Sequence, residues 1–388
     1  MTRRTWLSVD DCFVEDLAAV TAAGTSLADY PWAAQVVDDV LMYSAAALRP
    51  AMTDPEGRRV LQEELVRALL DGPGVIVLSG AYPDTDVVDA VSGVFDDIIH
   101  EQRATGGPAG DHFGAPGAND RIWNALEKLA VRAPDCFLPY YANDVVALVA
   151  EAWLGPAYQI TSQVNAVNPG GAAQQAHRDY HLGFQSNETA AKFPAHAHAL
   201  SPVLTLQGAV AHTDMPVESG PTLYLPHSQK YAYGYLASRL PQFRAHFDEH
   251  RVQVSLFKGD VVFFNPALFH AAGENTTRTV RRMANLLQIS SPMGRAMESI
   301  DRQRLVLAVY DELLAACHSG DWEPRDIANV VAATAEGYAF PTNLDLDQPV
   351  DALAPPTQAQ LLTQALTEKW SHDALAARLA EQVARQRP

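Results

Sequence analysis

Between Gln174 and His181 the chain reads Gln-Gln-Ala-His-Arg-Asp-Tyr-His, and this stretch constrains the fold more than any other. In extended backbone, residues two apart point to the same face, so the His177 imidazole and the Asp179 carboxylate would converge. A distant third donor, His270, would complete a set of two histidines and one carboxylate. Such a set covers one face of an octahedral Fe(II) and leaves three positions open. A chain that uses it must bring two remote segments together. His-x-Asp alone is a weak signal, because 13 histidines make such pairs common by chance.

The surrounding pattern fits that demand. From Gln159 onward, short β-prone runs alternate with Gly/Pro turns. The spacing predicts strands at 159–167, 203–210, 222–225, 252–257, 261–264 and 283–289, with the His177 segment as a further strand. Many short strands with such turns argue for a β-rich α+β chain built on a jelly roll, the double-stranded β-helix of cupin type, flanked by helices. That barrel presents strand-borne ligands at one open mouth.

The flanks read as helical. Apolar residues recur at three-to-four spacing over Val14–Val20, Val36–Leu48 and Val60–Leu70. After Val75–Leu78, read as the first buried strand, Asp84 and Asp86 open a helix running to about Arg103. Residues 104–120 read as a loop holding His112 and Phe113 and leading to Arg121 and Trp123. Helices follow near 123–132 and 143–153, and again at 296–317, 325–336 and 357–385. The expected organisation is a helical extension over 1–70, a double-stranded β-helix core over 71–295 and a C-terminal helical segment over 296–388, integrated into one domain. The terminal helices are the expected contact surface for a second copy.

Composition narrows the partners. A formal charge of −18 disfavours nucleic acid and anionic membranes. Three scattered cysteines, Cys12, Cys136 and Cys317, give no disulfide framework or zinc ribbon and make a reducing compartment the default. Arg3 and Arg4 are followed by acidic residues instead of an apolar run, so no signal peptide is expected, and no long apolar stretch suggests a membrane span. The expected location is cytoplasmic.

Three blocks in order carry a family likeness: His177-Arg178-Asp179-Tyr180-His181, then Val217 to Ser228, then Lys258 to Phe264 leading to His270. Over residues 72–292 the chain resembles the phytanoyl-CoA dioxygenase family of Fe(II)/2-oxoglutarate oxygenases. The resemblance implies that His177, Asp179 and His270 hold iron, with 2-oxoglutarate as co-substrate and O2 as oxidant. It also places an arginine for the far carboxylate of 2-oxoglutarate eleven residues after the distal histidine, at Arg281. Arg282 points to the opposite face of that strand, so only one of the two can serve. A guanidinium suits the task because it stays charged and grips a carboxylate with two parallel hydrogen bonds. Thr161, Asn165 and Gln174 stand where relatives place polar contacts to 2-oxoglutarate. His181, Arg121, Trp123, Gln207 and His212 are candidates for the substrate side, and His227 for the pocket.

The chain departs from the family pattern at Pro226-His227-Ser228-Gln229, at Ala271-Ala272 and at Gln207, where relatives carry other residues. These positions bear on the substrate and leave the metal set untouched. Asp179 fills the position that related halogenases leave small, which disfavours halogenation.

The expected function is oxidation, by default hydroxylation, of a C–H bond in a small metabolite, for instance in a biosynthetic pathway. Two rivals use the same scaffold: a cupin-type metal dioxygenase without 2-oxoglutarate, and a non-catalytic binding protein. The stretches 104–124, 180–200 and 212–230 contain few cations and many polar and aromatic groups, from which a neutral or partly polar ligand is expected in preference to an acyl-CoA.

Overall fold

The computed structural model describes residues 5–105 and 118–387, so His112 and Phe113 lie outside the described residues. Its framework is a mixed α+β arrangement around two sheets. The strands are β1 (Gln35–Val37), β2 (Val40–Ser44), β3 (Val75–Ser79), β4 (Asn119–Ile122), β5 (Gln159–Val167), β6 (Thr205–Ala211), β7 (Leu223–Leu225), β8 (Val252–Gln253), β9 (Val261–Phe264), β10 (Phe269–Ala271) and β11 (Arg282–Ser290). Eight of them form one sheet in the order β1-β2-β3-β9-β6-β11-β5-β4, and β10-β7-β8 form the other. Pairing is antiparallel except between β2 and β3.

The Val-Ile-Val-Leu run of β3 is apolar throughout because both of its faces are covered. Ile76 and Leu78 join a core shared with the helical layer, including Phe95, Phe137, Val309 and Tyr310. Val75 and Val77 point the other way and pack with Tyr224, Val254, Leu256 and Leu268 between the two sheets. Period-two alternation therefore divides each central strand between a helix-facing side and a side facing the smaller sheet.

The expectation of an all-helical residue 1–70 segment is corrected here. Val14–Thr21 and Pro55–Leu70 are helices, but most of the Val36–Leu48 stretch is strand, with helix only from Ala45 to Met52. Its apolar spacing fits a strand buried on both faces as well as it fits a helix, and pairing of β2 with β3 decides the outcome. The segment thus completes the larger sheet. At the other end, the helix expected over 357–385 is two helices, Gln358–Glu368 and His372–Gln386. Lys369 breaks them in the left-handed region, and Ser371 caps the second. No helix among the described residues is long and apolar enough to cross a membrane.

Candidate metal centre and its cavity

His177 and His270 sit opposite each other in an isolated antiparallel bridge. The His177 N–H donates to the His270 carbonyl at 3.0 Å, and the His270 N–H returns the bond at 3.2 Å. Gln174 N–H to Ala272 and Asp179 N–H to Pro266 extend this contact along both segments. The His177 segment is thus extended and tied to the 266–272 stretch, without becoming the regular strand expected.

The three side chains converge. Their ligating atoms all lie within 4.8 Å of one another, the only such group of three among the described residues. Asp179 Oδ1 is 3.5 Å from His177 Nε2, and Oδ2 is 3.4 Å from His270 Nε2. Each imidazole Nδ1 lies by a backbone carbonyl, Gln175 for His177 at 2.8 Å and Leu268 for His270 at 2.9 Å. Donation from Nδ1–H to those carbonyls leaves both Nε2 lone pairs aimed inward, the tautomer a metal ligand requires. Burial alone would raise the Asp179 carboxyl, but the two imidazoles and the Gln207 amide outweigh it and hold the group below the usual carboxylate range. Burial also lowers the His177 imidazole, and the Arg239 charge adds to that effect. Two imidazoles and one carboxylate form the donor set that suits Fe(II).

Arg178, between two of these residues, points away from them. Its buried guanidinium donates to the carbonyls of Ser228 at 2.6 Å and Tyr231 at 2.9 Å, between the rings of Tyr235 and Phe269. The residue that alternates with His177 and Asp179 is therefore the anchor of their segment.

The set opens into a cavity of about 620 Å³ between the two sheets. Gln163 and Asn165 of β5, Gln207 and Ala209 of β6, and Arg282, Ala284, Leu286 and Gln288 of β11 line it. All follow the period of two. Gln207 Nε2 donates to Asp179 Oδ2, Gln163 Nε2 donates to Gln288 Oε1 at 3.2 Å, and Arg121 Nη2 donates to Gln163 Oε1 at 2.9 Å. The Asn165 and Gln207 amide oxygens are buried without a hydrogen-bond partner among the described residues.

Several sequence-predicted residues stand elsewhere. Arg281 precedes β11 and turns outward, ion-paired with Asp96 of the Asp86–Ala104 helix at 2.8 Å. It does not reach the cavity. Arg282 begins the cavity-facing series of β11, is buried, and has no carboxylate paired with it among the described residues. Burial lowers its guanidinium to about 10, still charged at neutral pH. The one-residue difference comes from strand register: Arg282 faces Val167 of β5, and its parity fixes which side chains enter. Thr161 is buried but donates to the Gln288 carbonyl inside the sheet. His212 lies on the helix-facing side, bonded to Ser92 and Tyr140. His227 is held by Thr25 and Lys230. His181 contacts Ser201 at 3.4 Å and is outside the lining. Gln174, Arg121, Trp123 and Gln207 do line the cavity, with the Arg121 guanidinium over the Trp123 ring.

Gln163 and Gln288 carry no motif in the sequence, although they share strand parity with Asn165 and Arg282. Arg239 and Arg244 also line the cavity, from a segment with no local signal. They correct the expectation of a cation-poor wall.

Dioxygenase trt7 of Aspergillus terreus is 24% identical over 235 residues, spanning 61% of this chain and 73% of that protein. Among solved structures, the non-heme alpha ketoglutarate dependent epimerase SnoN from nogalamycin biosynthesis is 19% identical, covering 62% of this chain and 85% of its own, with a TM-score of 0.44. The non-heme alpha ketoglutarate dependent carbocyclase SnoK from the same biosynthesis is 20% identical, covering 62% and 84%, also with a TM-score of 0.44. The phytanoyl-CoA dioxygenase (PhyH) family model matches residues 57–283, more than half of the sequence and both segments that carry the His177, Asp179 and His270 set, and the chain belongs to that family.

Proposed function

We propose that this protein is an Fe(II)- and 2-oxoglutarate-dependent oxygenase that oxidises, by default hydroxylates, a C–H bond of a small organic substrate. We read the two facing sheets as a double-stranded β-helix with the metal set at its mouth. The observation that carries the proposal is Arg282. It is a buried, charged guanidinium without an acidic partner among the described residues, on the wall of the cavity that holds the His177, Asp179 and His270 set. An uncompensated buried charge is costly, and an anionic ligand removes that cost.

The residues fit the two groups. His177 and His270 offer Nε2 and Asp179 offers carboxylate oxygens to iron. Arg282 would take the far carboxylate of 2-oxoglutarate, with the Asn165 and Gln174 amides as neighbouring polar partners. Iron and 2-oxoglutarate together supply the means of activating O2. The protein holds the ligands in one orientation, keeps Asp179 ionised, and encloses the reaction between two apolar-backed sheets.

Anaerobic equilibrium dialysis of 2-oxoglutarate tests this. One equivalent should bind in the presence of Fe(II) or Mn(II), and binding should vanish without metal or in His270→Ala. Metal binding without 2-oxoglutarate binding would indicate a dioxygenase of the other cupin type. Binding of neither would indicate a non-catalytic scaffold.

A further inference from the structure

Five arginines, Arg121, Arg178, Arg239, Arg244 and Arg282, are among the residues that line the cavity, against one acidic residue, Asp179. The chain as a whole has 46 acidic and 28 basic residues, so this local excess runs against its composition. Asp179 belongs to the metal set. Arg178 is spent on the Ser228 and Tyr231 carbonyls, and Arg282 is assigned above to the co-substrate. Arg121 is engaged by Gln163 and Trp123.

Arg239 and Arg244 remain. Arg239 donates to the carbonyls of Gln185 at 2.5 Å and Gly183 at 2.6 Å, in the turn that directly follows the metal ligands. Both acceptors are neutral, so the positive charge stays uncompensated. Arg244, in the first turns of the Pro241–His250 helix, has a buried Nε with no hydrogen-bond partner among the described residues. Neither arginine is ion-paired with a carboxylate among the described residues. Phe184, half-exposed on the same wall, adds an apolar surface beside them.

We propose that the substrate is an organic acid whose anionic oxygen group, a carboxylate or a phosphate ester, docks on Arg244 with Arg239 beside it, its carbon skeleton running past Phe184 toward the metal. A guanidinium offers a planar pair of donors that matches either oxyanion, and partial burial strengthens the pairing. The fate of the bound acid rests on the oxygenase reading; its binding does not.

The test is calorimetric titration of the Mn(II)-loaded protein, with and without saturating 2-oxoglutarate, using octanoate, octyl phosphate and the neutral octanamide as probes. At least one anion should bind tenfold or more tightly than the amide. Arg244→Gln should remove that preference and leave 2-oxoglutarate binding unchanged. The variant is expected to fold, since Arg244 has no side-chain hydrogen bond to lose among the described residues, and its melting temperature checks this. Whichever anion shows the Arg244-dependent preference identifies the group. Equal binding of amide and acids, no binding of either anion, or an unchanged preference in Arg244→Gln would overturn the proposal. Loss of 2-oxoglutarate binding in Arg244→Gln would also overturn it, by showing that the co-substrate uses this arginine. Failure of the unmodified protein to bind 2-oxoglutarate would defeat the oxygenase reading alone, because titrations without co-substrate still decide the acid site.

Discussion

The Gln207 side-chain amide donates to Asp179 Oδ2 at 2.5 Å, so the Asp179 carboxylate is fixed from the neighbouring sheet as well as by its own segment. Partners that orient a metal ligand typically contribute ten- to a hundredfold in affinity. Gln207→Leu should therefore weaken Mn(II) binding about tenfold or more while the melting temperature changes little. Isothermal titration with Mn(II) measures it, and unchanged affinity would show that Asp179 is held without Gln207.

Arg281 and Arg282 should behave in opposite ways. Removing one side of a buried charge-assisted pair costs roughly 2–5 kcal/mol, so Arg282→Ala should weaken 2-oxoglutarate binding at least about thirtyfold. Arg281→Ala removes only a half-exposed pair with Asp96, worth roughly 0–1 kcal/mol, and should leave 2-oxoglutarate binding as it was. Dialysis of both variants against labelled 2-oxoglutarate checks the ranking. The reverse order would return the role to Arg281.

Gly234 faces the Arg178 guanidinium so closely that a Cβ would collide with it. Gly234→Ala must displace the anchor that lies between His177 and Asp179. A loss of roughly 1–3 kcal/mol in stability is expected from such overpacking, together with weaker metal binding. Gly93→Ala is the control: a Cβ there meets nothing within 4 Å, and the substitution in a helix should be neutral or stabilising by up to about 1 kcal/mol. Urea unfolding and Mn(II) titration of both variants give the comparison.

His212 sets a pH dependence of stability. Burial lowers its imidazole from 6.5 to about 3, so the folded protein keeps it neutral where the unfolded chain protonates it. The unfolded state then binds the extra proton, and stability falls as pH drops from about 6.5 toward 3. Between pH 6.5 and 5 this site contributes a loss of roughly 2 kcal/mol. His212→Gln should be less stable at pH 7, because it loses the Ser92 and Tyr140 contacts, but should lose less on acidification. Urea midpoints at the two pH values measure the difference, and equal slopes would rule out His212 as the source.

The metal set was legible because chemistry and period agree. His177 and Asp179 lie two apart in extended backbone, and His270 follows a strand signal. Most strands from Gln159 to Ser290 were equally legible, since β-branched runs broken by Gly and Pro have few other readings; the His177 segment forms only a bridge, and the run expected over 252–257 is strand only at Val252–Gln253. The arginine was not. A spacing counted from His270 is blind to where β11 begins, and one residue reverses the face. Val36–Leu48 misled because burial on both faces erases the period that separates strand from helix. Arg239 and Arg244 were invisible for a different reason: nothing local to the Tyr231–His250 stretch shows that it folds against the turn at Gly183 and Gln185. Tertiary contact alone brings those charges to the cavity.

The central claim is that His177, Asp179 and His270 support turnover of 2-oxoglutarate. Its most direct test is the amount of succinate formed from 2-oxoglutarate in air by the Fe(II)-loaded protein, with the acid substrates suggested by the Arg244 titrations present. Succinate should form above the metal-free background in the unmodified protein, rise when the substrate is added, and fall to background in His270→Ala and Asp179→Ala variants that still fold. Succinate at the unmodified rate from folded His270→Ala, or none from the unmodified protein when Fe(II) and 2-oxoglutarate are both demonstrably bound and substrate is present, would contradict it.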